Sequence, residues 1–152
     1  MDPELAKQAS FRAAEILSGM GYTGKYGSTH LFDLGLQANS ITAILHNMIG
    51  YQVAEIDPSW EFKPKGGKTP DLVRGNAGVQ IKVSSDARIK GNYVSPGKGY
   101  YLAVKYVREG YTINIREIMM GELGEADWDR RQHTQFAFLK KEAEARLQRV
   151  YP

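Results

Sequence analysis

Thr69-Pro70-Asp71-Leu72-Val73-Arg74-Gly75-Asn76-Ala77-Gly78-Val79-Gln80-Ile81-Lys82-Val83-Ser84 reads as strand, turn, strand. Gly75, Asn76 and Gly78 supply the left-handed dihedrals that a tight reversal needs. In the second strand Val79, Ile81 and Val83 point one way and Gln80, Lys82 and Ser84 the other, because strand side chains alternate. Pro70 lacks an N–H and suits the first residue of a strand or an edge. A four-residue loop, 75–78, pairs Arg74 with Val79, Val73 with Gln80 and Asp71 with Lys82. Directly opposed residues share a face at about 5 Å between Cβ atoms, and the diagonal Asp71–Gln80 pair lies roughly 7–8 Å apart. A carboxylate, an amide and an ammonium then converge on one patch. A loop one residue longer or shorter, without a bulge, would turn Asp71 to the far side.

Three polar groups gathered on an otherwise apolar hairpin cost stability unless something binds them, and a divalent metal with a phosphodiester would do so. The plain alternative is a solvated hairpin face with an Asp–Lys cross-strand pair. Two flanking stretches favour the first reading. Gly66-Gly67-Lys68 before the hairpin is open and basic, and Ser84-Ser85-Asp86-Ala87-Arg88-Ile89-Lys90-Gly91-Asn92 after it is polar and basic.

Pro70-Asp71…Gln80-x-Lys82 resembles the motif of the PD-(D/E)xK nuclease superfamily, with Gln in the middle slot. That superfamily includes type II restriction enzymes, Holliday-junction resolvases and some homing endonucleases. Gly75 to Ser85 looks most like the active-site hairpin of small homodimeric restriction endonucleases. The resemblance implies that Asp71 ligates magnesium, with manganese as a substitute, and that Gln80 contributes a side-chain oxygen. Lys82 would orient or activate the attacking water and steady the phosphate. It also implies double-stranded DNA as partner, a homodimer, and a central mixed sheet flanked by helices. Gln80 is a departure, since it offers a neutral amide oxygen where Glu would offer a charged one. In the family a further Glu often comes from a preceding helix, but the helix expected here over residues 40–49 has none. Glu55, expected on the strand beside the hairpin, is the first choice for a further metal ligand, ahead of Glu61 and Glu15. For His46 and Asn47 a capping or surface role is expected.

The loop from Lys90 to Gly99 intersperses Lys, Asn and Ser with Gly, donors that a base edge or phosphate can use. Asn92 is the first choice for a base contact, and Lys90 and Lys98 for phosphate. Lys68, Ser84 and Arg88 complete the expected DNA-facing set.

The 152 residues, 42% of them hydrophobic, suit one domain, 1–152, with one sizeable core. No apolar run approaches 18 residues, so no membrane span is expected. The N-terminus lacks a secretory pattern and the chain has no cysteine, which excludes a disulfide framework and a thiolate metal site and points to the cytoplasm. Net charge is +3, but residues 60–110 hold ten Lys/Arg against four Asp/Glu. A basic excess gathered around the hairpin is the footprint of a polyanion partner.

Around the hairpin, Asp2 reads as an N-cap and Pro3 as the first residue of a helix running to about Ser18. Gly19 to His30 reads as a loose arm or dimer-contact loop, with Tyr22 and Tyr26 as contacts; it lacks the Gly-Lys-Ser/Thr ending of a phosphate loop. His30 beside Asp33 suggests a local hydrogen bond rather than a metal pair. Ile41, Ile44, Leu45, Met48 and Ile49 form a helical stripe that Gly50 is expected to end, with a strand from Tyr51 to Ile56. Tyr100 to Val107 reads as a central strand, turned by Arg108-Glu109-Gly110 into Tyr111 to Arg116. A final helix is expected from about Asp127 to Val150, packing Phe136, Leu139, Ala143 and Leu147 on the sheet or on a partner. This order gives an α+β class, a mixed α/β sandwich.

Overall fold

The computed structural model describes residues 1–64, 69–92, 98–130 and 136–152. Helix α1 spans Pro3–Gly19; Asp2 caps it, its carboxylate accepting from the Glu4 N–H at 2.7 Å. The Gly19–His30 stretch is a hairpin rather than a loose arm: β1 Gly21–Gly24 pairs with β2 Gly27–His30. Gly27 takes the left-handed conformation, with φ at 106°.

Helix α2 spans Ala38–Ile56, so the chain does not leave the helix at Gly50 and no strand forms over 51–56. The apolar stripe continues past that glycine through Val53, which is fully buried. Gly50 serves a different purpose. A Cβ there would lie 2.2 Å from the Phe62 ring, so the glycine lets strand β3, Glu61–Phe62, approach the helix. Asp57 accepts from the Ser59 N–H and hydroxyl in the expected turn between them.

Strands β4 Leu72–Arg74, β5 Ala77–Ser84, β6 Lys90–Asn92, β7 Gly99–Glu109 and β8 Thr112–Leu123 follow. The expected C-terminal helix is instead β9 Trp128–Arg130, β10 Phe136–Leu139, a short helix α3 Lys141–Arg146, and β11 Gln148–Tyr151. Its apolar positions had a true destination in the wrong element: Leu139, Ala143 and Leu147 are buried against the sheet.

The main sheet has six strands in the order β11-β8-β7-β5-β4-β3. Only β5 and β7 run parallel; every other pair is antiparallel. The α+β class expected from the sequence is the one found. One face packs on α1 and α2 through Leu17, Leu45, Ile49, Ile81, Leu102 and Val104. Ala6, Ala9 and Ala13 have no side chain large enough to hold α1 away from its neighbours. The opposite face carries no long helix. A three-stranded sheet, β6-β10-β9, covers it with α3, burying Ile89, Tyr101, Met119, Trp128 and Leu139. Lys105 holds that layer down, with its ammonium 2.6 Å from Glu144 on α3 and 3.3 Å from Glu117 on β8. Among the described residues no helix is long and apolar enough to cross a membrane.

Candidate active site at the parting of two strands

The hairpin turn is two residues long, Gly75 and Asn76, not four. Leu72 pairs with Val79, Val73 with Gly78 and Arg74 with Ala77. Gly75 has φ at 57°, as a two-residue hairpin turn requires. Relative to the four-residue loop, the register moves by two, so side-chain parity is kept: Val79, Ile81 and Val83 are buried, and Gln80 and Lys82 face the other side. Carried one residue on, this register sets Asp71 opposite Gln80 rather than Lys82.

Asp71 does not continue the β4–β5 ladder with its backbone. Its carbonyl accepts from the Lys63 N–H at 2.7 Å, continuing the β3–β4 pairing. Its carboxylate Oδ2 accepts from the Ile81 N–H, also at 2.7 Å, where a backbone carbonyl would otherwise stand. Strand β4 therefore parts from β5 at Asp71, and the carboxylate caps the exposed edge of β5. A Cβ at Gly78 would lie 2.4 Å from the Pro70 ring, so that glycine is what lets the Pro70-Asp71 corner settle against β5. Gln80 donates from Nε2 to the Thr69 carbonyl at 3.3 Å and closes the mouth of the parting.

At the uncovered edge, β5 meets α2. His46, expected only to cap or face solvent, places Nε2 3.5 Å from Asp71 Oδ2. That is a long contact, an ion pair when the imidazole is protonated rather than a tight hydrogen bond. Its Nδ1 lies 3.0 Å from the Asn47 side-chain oxygen. One sequence signal was available for His46: it follows Leu45 on the stripe-bearing helix, on the flank of the face that packs against β5. A cavity of about 400 Å³ opens there, lined by His46, Asn47, Lys82, Ser84, Asp86 and Lys90 among others.

The charges are set by the position. Burial alone would raise the Asp71 pKa, but the His46 contact, the Ile81 N–H and the positive field of Lys82 outweigh it, and the net shift is downward. Asp71 is thus a carboxylate at neutral pH. Lys82 is pushed below the ordinary lysine range by burial, with the Asp71 charge opposing the shift. No hydrogen-bond or ion-pair partner for its ammonium exists among the described residues. A half-buried, unpartnered ammonium beside an ionised carboxylate is ready for an anionic ligand.

Other expected residues take different places. Glu55 lies on α2, not on a strand beside the hairpin; its carboxylate is 3.7 Å from Arg12 of α1 and accepts from Gln52. The structure does not bring it to Asp71. Ser84 is buried, its hydroxyl donating to the Arg88 carbonyl and accepting from the Asp86 N–H, so it folds its own loop. Arg88 donates twice to the Leu139 carbonyl and lies over the Phe138 ring, tying the loop to β10. Lys90 pairs with Asp86 in the cavity wall. Lys98 is exposed at the start of β7. Lys68 and the side chain of Asn92 lie outside the described residues, as do Lys65 to Gly67 and residues 93–97.

The donors available for a metal are Asp71 Oδ1, which has no hydrogen-bond partner among the described residues, and Gln80 Oε1, the amide atom left over by the bond to Thr69. Among the described residues there is no group of three or more His, Cys, Asp or Glu side chains placed to hold an ion. Two oxygens, one of them neutral, could hold a hard divalent ion only if it kept most of its waters; they do not make a closed protein cage. No protein-family model matches the chain, and no curated protein matches it.

Proposed function

We propose that the chain is a magnesium-dependent DNA endonuclease of the PD-(D/E)xK type, acting on duplex DNA as a homodimer in the manner of a small type II restriction enzyme. The supporting observation is the parting of β4 from β5. It leaves the ionised Asp71 carboxylate, the Gln80 amide and the unpartnered Lys82 around one open strand edge. Asp71 and Gln80 would hold the ion jointly with a phosphate. When bound, magnesium polarises the phosphoryl group and lowers the pKa of a water. Lys82, as an ammonium, neutralises the charge that grows on the phosphate and orients the attacking water. His46 fixes Asp71 from the helix side. The cavity between α2 and β5 accommodates the strand being cut, with Lys90 at its wall.

Plasmid incubated with the protein and magnesium tests this reading. Cleavage by wild type, lost in Asp71→Ala and in Lys82→Ala, is expected. An inert wild type, or variants that cut as well as wild type, would contradict it. Four-way junctions offered beside linear duplex separate restriction-type from resolvase-type activity, and a homing-type enzyme would need a longer site.

The second reading is a DNA-binding module without catalysis. The neutral Gln80, and the lone carboxylate at the parting, favour it. It predicts salt-dependent duplex binding and no cleavage with any metal.

A further inference from the structure

Away from the Asp71 centre, the β1–β2 hairpin and the β7–β8 turn enclose a second groove of about 510 Å³. Its wall is the ring of Tyr111, 52% exposed just past the left-handed Gly110. An exposed tyrosine ordinarily samples several rotamers; this one is held at its hydroxyl and at one face of its ring. Its hydroxyl donates to both oxygens of Asp33, each at 2.8 Å. The back of its ring stacks on His30, with centroids 4.3 Å apart and planes 19° from parallel. His30 is itself fixed, its Nδ1 accepting from the Phe32 N–H at 3.1 Å and its Nε2 donating to the Ser18 carbonyl at 2.7 Å. The local hydrogen bond expected between His30 and Asp33 is not the one formed: His30 bonds Phe32 and Ser18, and Asp33 serves Tyr111.

Tyr22 stands on the same groove, 67% exposed. Its ring lies over the backbone of Gly24, where a Cβ would come within 2.4 Å of it. Thr23 and Ser28, whose hydroxyls are 2.9 Å apart, add hydrogen-bonding groups between the rings. Lys25 at the tip of the same hairpin lies over the Tyr26 ring and Arg108 over the Phe32 ring, so neither lines the groove; Asp33, held by Tyr111, is the charged side chain that does.

We propose that this groove binds an unpaired nucleobase, stacked on Tyr111, so that the protein engages single-stranded DNA at a second site. A rigid, half-exposed ring backed on one face and bordered by hydroxyl groups is what base stacking without sequence readout requires. A protein partner would be expected to meet apolar side chains here, and the groove presents tyrosines, hydroxyls and an imidazole instead. The proposal rests on the nuclease reading for its substrate class. The two sites are separated along the sheet: Tyr101 is level with Gln80, and Glu109, at the end of the same strand, is eight residues further on. At about 3.3 Å per residue that is about 26 Å. A substrate carrying a single-stranded tail or an opened end beside the cut would span both.

The test is the affinity of labelled oligothymidylate in chelator, where no cleavage occurs, for wild type, Tyr111→Ala and Tyr111→Trp. Loss of one base stack should weaken binding by about tenfold in Tyr111→Ala, with Tyr111→Trp restoring it. Magnesium-dependent plasmid cleavage should be unchanged in both variants. Unaltered oligothymidylate affinity in Tyr111→Ala would overturn the proposal. So would failure of Tyr111→Trp to restore it, since a stacking role accepts the larger ring and a structural role would not. A change in sedimentation with oligothymidylate affinity intact would assign the face to another protein and overturn it as well. Plasmid cleavage is scored separately, so a protein that binds oligothymidylate through Tyr111 yet never cuts would sink the nuclease reading alone.

Discussion

Lys82 and Asp71 carry opposite consequences for stability, and the signs follow from burial and partners. Lys82 has a folded-state pKa below its unfolded value, so its charged form opposes folding at every pH below that lowered value. The cost fades as pH rises toward the ordinary lysine value of about 10.5. Lys82→Met should therefore melt higher than wild type at neutral pH, by roughly 2–4 °C for each kcal/mol relieved. The gap should narrow in alkaline buffer while cleavage is lost. A lower melting temperature at neutral pH would show that the ammonium has a stabilising partner after all. Asp71 has the reverse sign. Its folded pKa lies below the unfolded value of 3.8, so the stability it contributes is complete above that value and disappears as pH falls through the folded one. Thermal melts through the acid range should lose stability less steeply in Asp71→Asn than in wild type; parallel acid limbs would contradict the assignment. The gathering of these two residues with Gln80 on one side of the hairpin was legible in the sequence because strand alternation fixes parity even when the register is misjudged by two. His46 was legible only in part: its place on the flank of the helical stripe was visible, but the carboxylate it faces comes from 25 residues further along the chain, which local sequence does not show.

Gly50 shows why the helices and strands around the hairpin were harder to read. A glycine at the end of an apolar stripe is a common helix terminator, and Tyr51 to Ile56 alternates well enough for a strand. In the structure the helix runs through it because Phe62 needs the space that a side chain would fill. Gly50→Ala should gain helix propensity yet destabilise the protein by about 1–3 kcal/mol through overpacking, measured as a fall in the urea midpoint. A gain in stability would mean that Phe62 moves aside freely. The C-terminal third failed for a related reason. Phe136, Leu139, Ala143 and Leu147 have helical spacing, but Leu139 ends strand β10, Ala143 lies on α3 and Leu147 follows it. Burial of Leu139, Ala143 and Leu147 was predicted correctly because apolar content decides it, while the side chain of Phe136 lies outside the described residues; element type was not, because pairing of β10 with β6 and β9 is a long-range outcome. The Gly19–His30 hairpin escaped for want of an apolar alternation, both strands being exposed along most of their length.

The molecule as a whole places a mixed sheet between two helices and a small second sheet, and its open strand edge between α2 and the loop after β5. This α+β class, the central β7 strand and the capped first helix could all be read from periodicity and turn residues. The covering of the second face by strands could not. The basic excess of residues 60–110 is partly consumed in holding that layer: Arg88 and Lys105 bind carbonyl and carboxylate groups within the fold. Lys90 is paired with Asp86, while Lys82 and Lys98 remain near the edge or on the surface, so the proposed polyanion binding would rest on fewer cations than the composition suggests. On the proposed function, the parting of β4 from β5 is a metal and phosphate site. Crystals soaked in manganese measure it most directly through anomalous density. The account predicts a peak between Asp71 Oδ1 and Gln80 Oε1, absent in Asp71→Ala crystals; a soaked wild-type crystal with no peak there, or one that persists in the variant, would contradict it.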